Sequence, residues 1–243
     1  MKSLPWILAA AAALLAAAPA TGGEIRQQPK AVLELFTSQG CNSCPDADAL
    51  LISLSQRKDL ITLAYHVDYW DYIGWKDTFG AAANSERQRD YVKAWGSSRI
   101  FTPQLVVNGR SGVVGSNQKD VTGAINGAAR LSVPVALELG GDMLEVSVGG
   151  KPGGREAVIW IVTYTDKAAV QISRGENAGK TVDYTSIVTG KQVLGMWEPE
   201  NGSHFRLPLA ELMEGGSNGA VILVQEERDG LPGPIVGAAS VQL

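Results

Sequence analysis

The feature that most constrains this chain is a pair of cysteines, Cys41 and Cys44, separated by two residues. They are its only cysteines, and they lie between an apolar run (residues 31–36) and a helix-like stretch that begins at Pro45. A cysteine at the start of a helix faces unpaired backbone N–H groups and the positive end of the helix dipole, which both stabilise a thiolate. A C-x-x-C pair at such a junction is typical of thiol–disulfide chemistry.

The short spacing of the two cysteines argues against a purely structural bridge. Because the entropic gain from a disulfide grows with the length of the loop that it closes, a bridge across two residues constrains the unfolded chain very little. The pair therefore favours redox or metal chemistry, and no organic cofactor is expected.

The N-terminal residues have the pattern of a secretory signal peptide over residues 1–20. Lys2 gives a positive start, residues 4–17 are apolar and rich in alanine, and residues 18–20 fit the small-residue rule for cleavage. We therefore expect an exported protein, periplasmic or extracellular, in a compartment where disulfides are stable. No later segment reaches the ~20 apolar residues of a membrane span, so no membrane insertion is expected after cleavage. A formal net charge of −4 argues against nucleic acid or an anionic membrane as a partner.

Hydrophobic patterning divides the remaining chain into three parts. Residues 21–30 are expected to be a linker. Residues 31–132 predict the order β-α-β-α-β-β-α, with a helical insertion near residues 69–97 and a hairpin turn at Asn108-Gly109. Residues 133–243 alternate short strand-like runs with Gly-rich turns, which predicts a β-sandwich-like domain.

Three segments resemble a known family. Residues 34–48 contain Leu35-Phe36 and the C-x-x-C motif, residues 65–77 are rich in aromatic side chains, and residues 102–110 begin with Thr102-Pro103 and end with a turn. Together they are similar to a bacterial family of secreted thioredoxin-like proteins of unknown function, and the match continues into residues 174–177 and the C-terminal strands. The resemblance implies an α/β thioredoxin-like domain followed by a β-rich, sandwich-like C-terminal domain.

The resemblance also implies roles for four residues. Cys41 is the expected attacking thiol and Cys44 the resolving thiol. Pro103 matches the cis-proline of the thioredoxin superfamily, which places Thr102 beside the sulfurs, where it can pair with substrate backbone. The expected partners are protein or small-molecule thiols and disulfides, with a periplasmic redox protein as a candidate. The direction of electron transfer stays open, and Gly40 departs from the tryptophan of thioredoxins.

Two further side chains have alternative interpretations. Glu34 interrupts an apolar strand, and a buried carboxylate there can take the proton of a resolving thiol or can serve in a structural ion pair. His66 could join Cys41 and Cys44 in a three-ligand Cu(I) site, the first alternative to redox exchange. The second alternative is a binding module whose cysteines are redox-idle.

The aromatic side chains of the insertion also allow two interpretations. They can cover the cysteines and hold an extended substrate, or they can pack the insertion onto the sheet. The residues concerned are Tyr69, Trp70, Tyr72, Trp75 and Trp95. The turn at residues 174–177 is expected to be solvated, as most charged loops are.

Overall fold

The computed structural model describes residues 23–243, so the expected signal peptide lies outside the described residues. Within residues 23–243, none of the helices has the length and apolar character needed to cross a membrane. The helices are α1 (Pro45–Ser55), α2 (Ala82–Ala94), α3 (Gln118–Gly127) and α4 (Leu209–Leu212), with 3-10 turns at Asp71–Ile73 and Glu214–Gly216.

Within residues 23–243, more residues lie in strands than in helices. The twelve strands are β1 (Glu24–Gln27), β2 (Ala31–Thr37), β3 (Leu60–His66), β4 (Gln104–Val107), β5 (Ser111–Val114), β6 (Val135–Gly140), β7 (Met143–Val148), β8 (Ala157–Gln171), β9 (Thr181–Trp197), β10 (Ser203–Pro208), β11 (Gly219–Arg228) and β12 (Leu231–Gln242). Because β1 pairs with β12, four residues of the expected N-terminal linker are part of a sheet.

Nine strands form one mixed sheet, in the order β1-β12-β11-β8-β9-β3-β2-β4-β5. The parallel pairs are β2 with β3, and β3 with β9 where Ala64 faces Ile187. The other neighbours are antiparallel. The remaining strands form a second sheet, in the order β10-β7-β6.

The expected fold class, an α/β thioredoxin-like domain followed by a β-rich, sandwich-like domain, is therefore wrong. The elements of residues 31–127 do follow the expected order, but β2 to β5 do not form a sheet of their own. All seven residues of β3 are buried, and β9 covers its free edge, which joins both halves of the chain in one mostly β structure with four short helices. The expected division at residue 133 stays a prediction about autonomous folding.

The large sheet has helices on both faces at the end that carries the cysteines. On one face, α1 and α3 pack on Leu33, Leu35 and Leu105. On the other face, Tyr91 of α2 packs with Phe36 and with residues of β8, β11 and β12. The second sheet packs against the far end of the large sheet.

The expected hairpin at Asn108-Gly109 is confirmed, since these residues join β4 to β5 with positive φ angles of 49° and 66°. A Cβ on Gly109 would lie 2.5 Å from the carbonyl oxygen of Gly233, so the close approach of β12 requires glycine here. Asn108 uses its side chain as well, because its Oδ1 accepts the Val32 N–H at 2.7 Å. The turn therefore ties β4 to β2.

Candidate functional site

Cys41 and Cys44 form a disulfide where the loop after β2 enters α1, with Cα atoms 5.4 Å apart. Cys44 is the N-cap of α1 and Pro45 opens its first turn, where a missing N–H costs nothing. Both cysteines are buried, with 1% of Cys41 and 0% of Cys44 exposed. The two residues between them are exposed to solvent.

The Thr102-Pro103 segment, which directly precedes β4, lies beside the disulfide. The peptide bond between these two residues is cis, as expected. Ser43 connects the two segments, because its Oγ lies 3.4 Å from Cys41 Sγ and 3.4 Å from the Thr102 carbonyl oxygen. The hydroxyl of Thr102 accepts a 2.7 Å hydrogen bond from the indole of Trp70.

Asn177, which lies in the second half of the chain, contacts the cysteine loop (residues 38–44), which joins β2 to α1. Its Nδ2 donates to the carbonyl oxygens of Gln39 and Cys41, both at 2.9 Å. The expectation of a solvated turn at residues 174–177 is therefore wrong at this position, because only 1% of Asn177 is exposed. Arg174 and Glu176, its charged neighbours, do face solvent.

A buried polar group lies under the first turn of α1. Asp48 follows Cys44 by four residues, and its N–H donates to the Cys44 carbonyl at 3.0 Å. Its Oδ1 accepts the hydroxyl of Thr37 at 2.8 Å, while its Oδ2 has no partner. Burial raises the pKa of Asp48 to about 7, although His66 and the hydrogen bond from Thr37 act in the opposite direction. The carboxyl therefore exchanges its proton near neutral pH.

His66 lies at the end of β3, next to this group. Its Nδ1 is 2.8 Å from Oδ2 of Asp77, and its buried Nε2 has no partner. Burial pushes the pKa of Asp77 upward, but hydrogen bonds from His66 and from the N–H groups of Gln39 and Phe79 outweigh it and lower the pKa. Among residues 23–243, no three His, Cys, Asp or Glu side chains are grouped to hold a metal. A copper site that uses His66 stays a prediction.

Glu34 lies away from the disulfide. Side chains alternate along β2, so Thr37 faces α1 whereas Glu34 faces α2. There it pairs with Arg87 at 2.6 Å and accepts the hydroxyl of Tyr91 at 2.5 Å. The structure thus brings Cys41, Cys44, Thr102 and Pro103 together and leaves Glu34 on the other face of the sheet.

The aromatic segment (residues 69–75) packs on the cysteine loop at Gly40. A Cβ on Gly40 would lie 3.2 Å from Trp70 Cβ, so the tryptophan occupies the space beside this glycine. Trp75 donates from Nε1 to Gln39 Oε1 at 2.8 Å. Trp95, in contrast, stacks on Tyr91 on the α2 face. Tyr72 is 81% exposed.

The residue types of Asp48 and Asn177 do not indicate that these two polar side chains are buried at the site. Asp48 shares a helical stripe with Ala47, Leu51 and Ser55, and this spacing is the signal that it points into the protein. Asn177 carries no comparable periodicity. The one signal for it was that the family resemblance extends over residues 174–177.

The fold and the site define a class of proteins with a nine-stranded mixed sheet and a C-x-x-C disulfide at the start of its first helix. The chain belongs to the family described as "Protein of unknown function (DUF1223)", whose model matches residues 32–225. A solved structure of an Agrobacterium tumefaciens protein is similar, with a TM-score of 0.79, 33% identity, and coverage of 89% of this chain and 96% of the other.

A more distant likeness involves HBP35 of Porphyromonas gingivalis. Its structure has a TM-score of 0.59 and 14% identity, and the match covers 90% of this chain and 76% of that one. At this identity the likeness concerns the fold alone. Comparison with the curated proteins gave no match.

Proposed function

We propose that this protein is an exported thiol–disulfide exchange protein that acts through Cys41 and Cys44. The observation that carries the proposal is the disulfide closed at the start of α1, with the Thr102-Pro103 segment beside it. This local arrangement, and not the overall fold, supports exchange chemistry. Export rests on the signal-peptide pattern of residues 1–20.

The exchange proceeds in two displacements. In the dithiol form, the Cys41 thiolate attacks one sulfur of a substrate disulfide, whose S–S bond breaks and releases the other sulfur as a thiolate. Cys44 then loses its proton and attacks Cys41 Sγ, which releases the substrate's second sulfur and closes the Cys41–Cys44 disulfide. Two electrons pass to the substrate, and the reverse sequence oxidises a substrate dithiol.

Asp48 is the group we propose for the proton of Cys44. It lies one helical turn beyond that cysteine, it is buried, and one of its oxygens has no hydrogen-bond partner. A carboxyl with a pKa of about 7 can both accept and return a proton at neutral pH, which is the condition for a general acid–base group. Glu34 does not suit this role, because its side chain lies on the face of the sheet opposite α1.

Access to Cys41 requires movement, because only 1% of this residue is exposed. The aromatic segment that packs on Gly40 and donates to Thr102 is the neighbour that must shift. Its displacement would uncover the sulfur of Cys41, and rotation of the Ser43 hydroxyl would free the carbonyl of Thr102. An extended segment of a protein substrate could then pair with that backbone, while a small thiol would need less displacement.

The burial of both sulfurs favours one other candidate, a redox-idle module with an inert disulfide. Equilibration of the purified protein in glutathione and dithiothreitol buffers, with counting of free thiols, separates the two. Exchange proteins have potentials between about −270 and −120 mV, whereas structural disulfides lie below about −300 mV. A potential below about −300 mV would overturn the proposal of thiol–disulfide exchange.

Cysteine variants test the mechanism. We expect Cys41→Ser to abolish reduction of insulin, and Cys44→Ser to accumulate mixed disulfides that a non-reducing gel resolves. Equal turnover in both variants and the wild type would show that the exchange reaction does not use this pair.

A further inference from the structure

The segment that joins β8 to β9 is a compact loop, which we call the hairpin tip (residues 172–180). It holds its own shape, because the Gly179 N–H donates to the Ile172 carbonyl at 2.8 Å and the Lys180 N–H donates to the Asn177 carbonyl at 3.1 Å. A Cβ on Gly175 would lie 3.2 Å from Trp75 Cβ, so the tip also packs on the aromatic segment. The tip is therefore a preformed element next to the cysteine loop.

Asn177 is the residue of the tip that reaches the cysteines. An amide nitrogen has two N–H groups, and here its two hydrogen bonds go to the carbonyl oxygens of Gln39 and Cys41. The Cys41 carbonyl also accepts the N–H of Cys44 at 3.2 Å. The Cys41 carbonyl oxygen thus accepts two hydrogen bonds, one from Asn177 of the hairpin tip and one from the backbone of Cys44.

Lys180 adds a charge to this arrangement. Its ammonium donates to Oδ1 of Asn177 at 2.9 Å. A cation on the oxygen of an amide polarises the group and makes its N–H groups better donors. The polar atoms of the Asn177 side chain are therefore all engaged, with its oxygen bound to a cation and its nitrogen to the cysteine loop.

We propose that Asn177 is a positioning residue that sets the balance between the disulfide and the dithiol by holding the Gln39–Cys44 turn closed. Fixing this turn keeps the two thiols near each other in the reduced protein, which raises their effective concentration and favours the disulfide. When the Asn177 hydrogen bonds are lost, the turn becomes more flexible and the equilibrium shifts toward the dithiol. The biological meaning of this balance rests on the proposed exchange function, but the balance itself is a property of the cysteine pair.

The test compares the dithiol-to-disulfide ratio of variants at equilibrium in one dithiothreitol or glutathione buffer. We expect Asn177→Ala to shift this ratio about tenfold toward the dithiol, which corresponds to a potential about 30 mV less negative. Asn177→Asp keeps the size, removes the donors, and should shift the ratio in the same direction. Lys180→Met should give a smaller shift of the same sign. Asn126→Asp, an exposed asparagine of α3, is the control for added charge and should give none.

Urea unfolding of the oxidised and the reduced forms distinguishes positioning from simple stabilisation. A merely structural Asn177 would lower the stability of both forms equally and leave the ratio unchanged, and that result would overturn the proposal. If Asn177→Ala fails to fold, Lys180→Met decides on the same criterion. Failure of the exchange function is a separate outcome, since a wild-type potential below about −300 mV defeats exchange whatever the shift between variants.

Discussion

Arg87 donates two hydrogen bonds to the same carboxylate oxygen of Glu34, at 2.8 Å and 2.6 Å, where both side chains are buried. Tyr91 donates to the other oxygen, and Gln225 of β11 bonds to both Arg87 and Tyr91. The carboxylate that interrupts β2 is thus held by two side chains of α2, which a side chain of β11 supports in turn. We therefore expect it to matter more for stability than for proton transfer.

The first prediction concerns Glu34→Gln. Loss of one partner leaves the buried charge of Arg87 uncompensated, so the free energy of unfolding should fall by about 3–5 kcal/mol in urea denaturation. The rate of disulfide exchange per folded molecule should stay unchanged. A slower rate at unchanged stability would instead support Glu34 as the proton acceptor. Asp59→Asn, which breaks the exposed Arg57–Asp59 pair, should cost less than about 1 kcal/mol.

The second prediction concerns pH and Asp48. Its pKa is about 7 in the folded protein against an ordinary 3.8, so between these values the folded state holds a proton that the unfolded state has lost. This group's contribution is therefore most favourable below about pH 4 and is lost as the pH rises to about 7. The stability of the wild type should fall over this interval relative to Asp48→Asn, by at most about 4 kcal/mol, at about 1.4 kcal/mol per pKa unit.

Urea denaturation at several pH values measures this difference. Thr37, His66, Asp77 and Tyr184 face Asp48, so the comparison of variant with wild type isolates its titration from theirs. Asp46→Asn, at an exposed position in the same helical turn, is the matched control for removing one carboxylate from this turn. A constant difference between Asp48→Asn and the wild type from pH 4 to 7 would contradict the assignment.

The third prediction concerns Gly40→Ala. A Cβ there would crowd Trp70, so the aromatic segment must give way beside the disulfide. We expect dithiothreitol to reduce the Cys41–Cys44 bond several-fold faster, measured by the release of thiols with time. Gly123→Ala in α3 is the control, because its Cβ would meet nothing within 4 Å. Equal rates in all three proteins would mean that the segment does not limit access.

The fourth prediction concerns the boundary expected near residue 133. A fragment of residues 23–132 should not fold, because Phe36 and Tyr65 bury themselves against residues of β8, β11 and β12. Circular dichroism should show no cooperative unfolding transition for the fragment and a single one for residues 23–243. A cooperative transition in the fragment would restore the first region as an autonomous domain.

Local patterns were enough for much of the first region. The C-x-x-C junction, the order of its helices and strands, and the Asn108-Gly109 hairpin all depend on residues close together in sequence, where periodicity and turn chemistry are informative. The pairing of β3 with β9, in contrast, joins residues that lie far apart in sequence. An apolar run such as Leu60–His66 predicts burial on both faces, but nothing in it specifies which strand lies at its edge.

The site divides in the same way. Cys41, Cys44 and the Thr102-Pro103 segment were predicted from motifs, and the structure brings them together. Glu34 interrupts an apolar strand, but that pattern does not indicate which face of the sheet lies near the sulfurs. Asn177 depends on a contact with a residue 136 positions earlier, which the polarity of its loop could not indicate.

The order in which the chain is synthesised gives this contact a consequence in time. Asn177 follows Cys41 by 136 residues, so at ~5–20 residues per second the ribosome makes the cysteine about 7–27 s before its clamp. During that interval a nascent chain presents two thiols with no hairpin tip to close them. The clamped cysteine pair thus depends on both halves of the chain, and a product truncated before Asn177 would carry the motif without the contact that holds it.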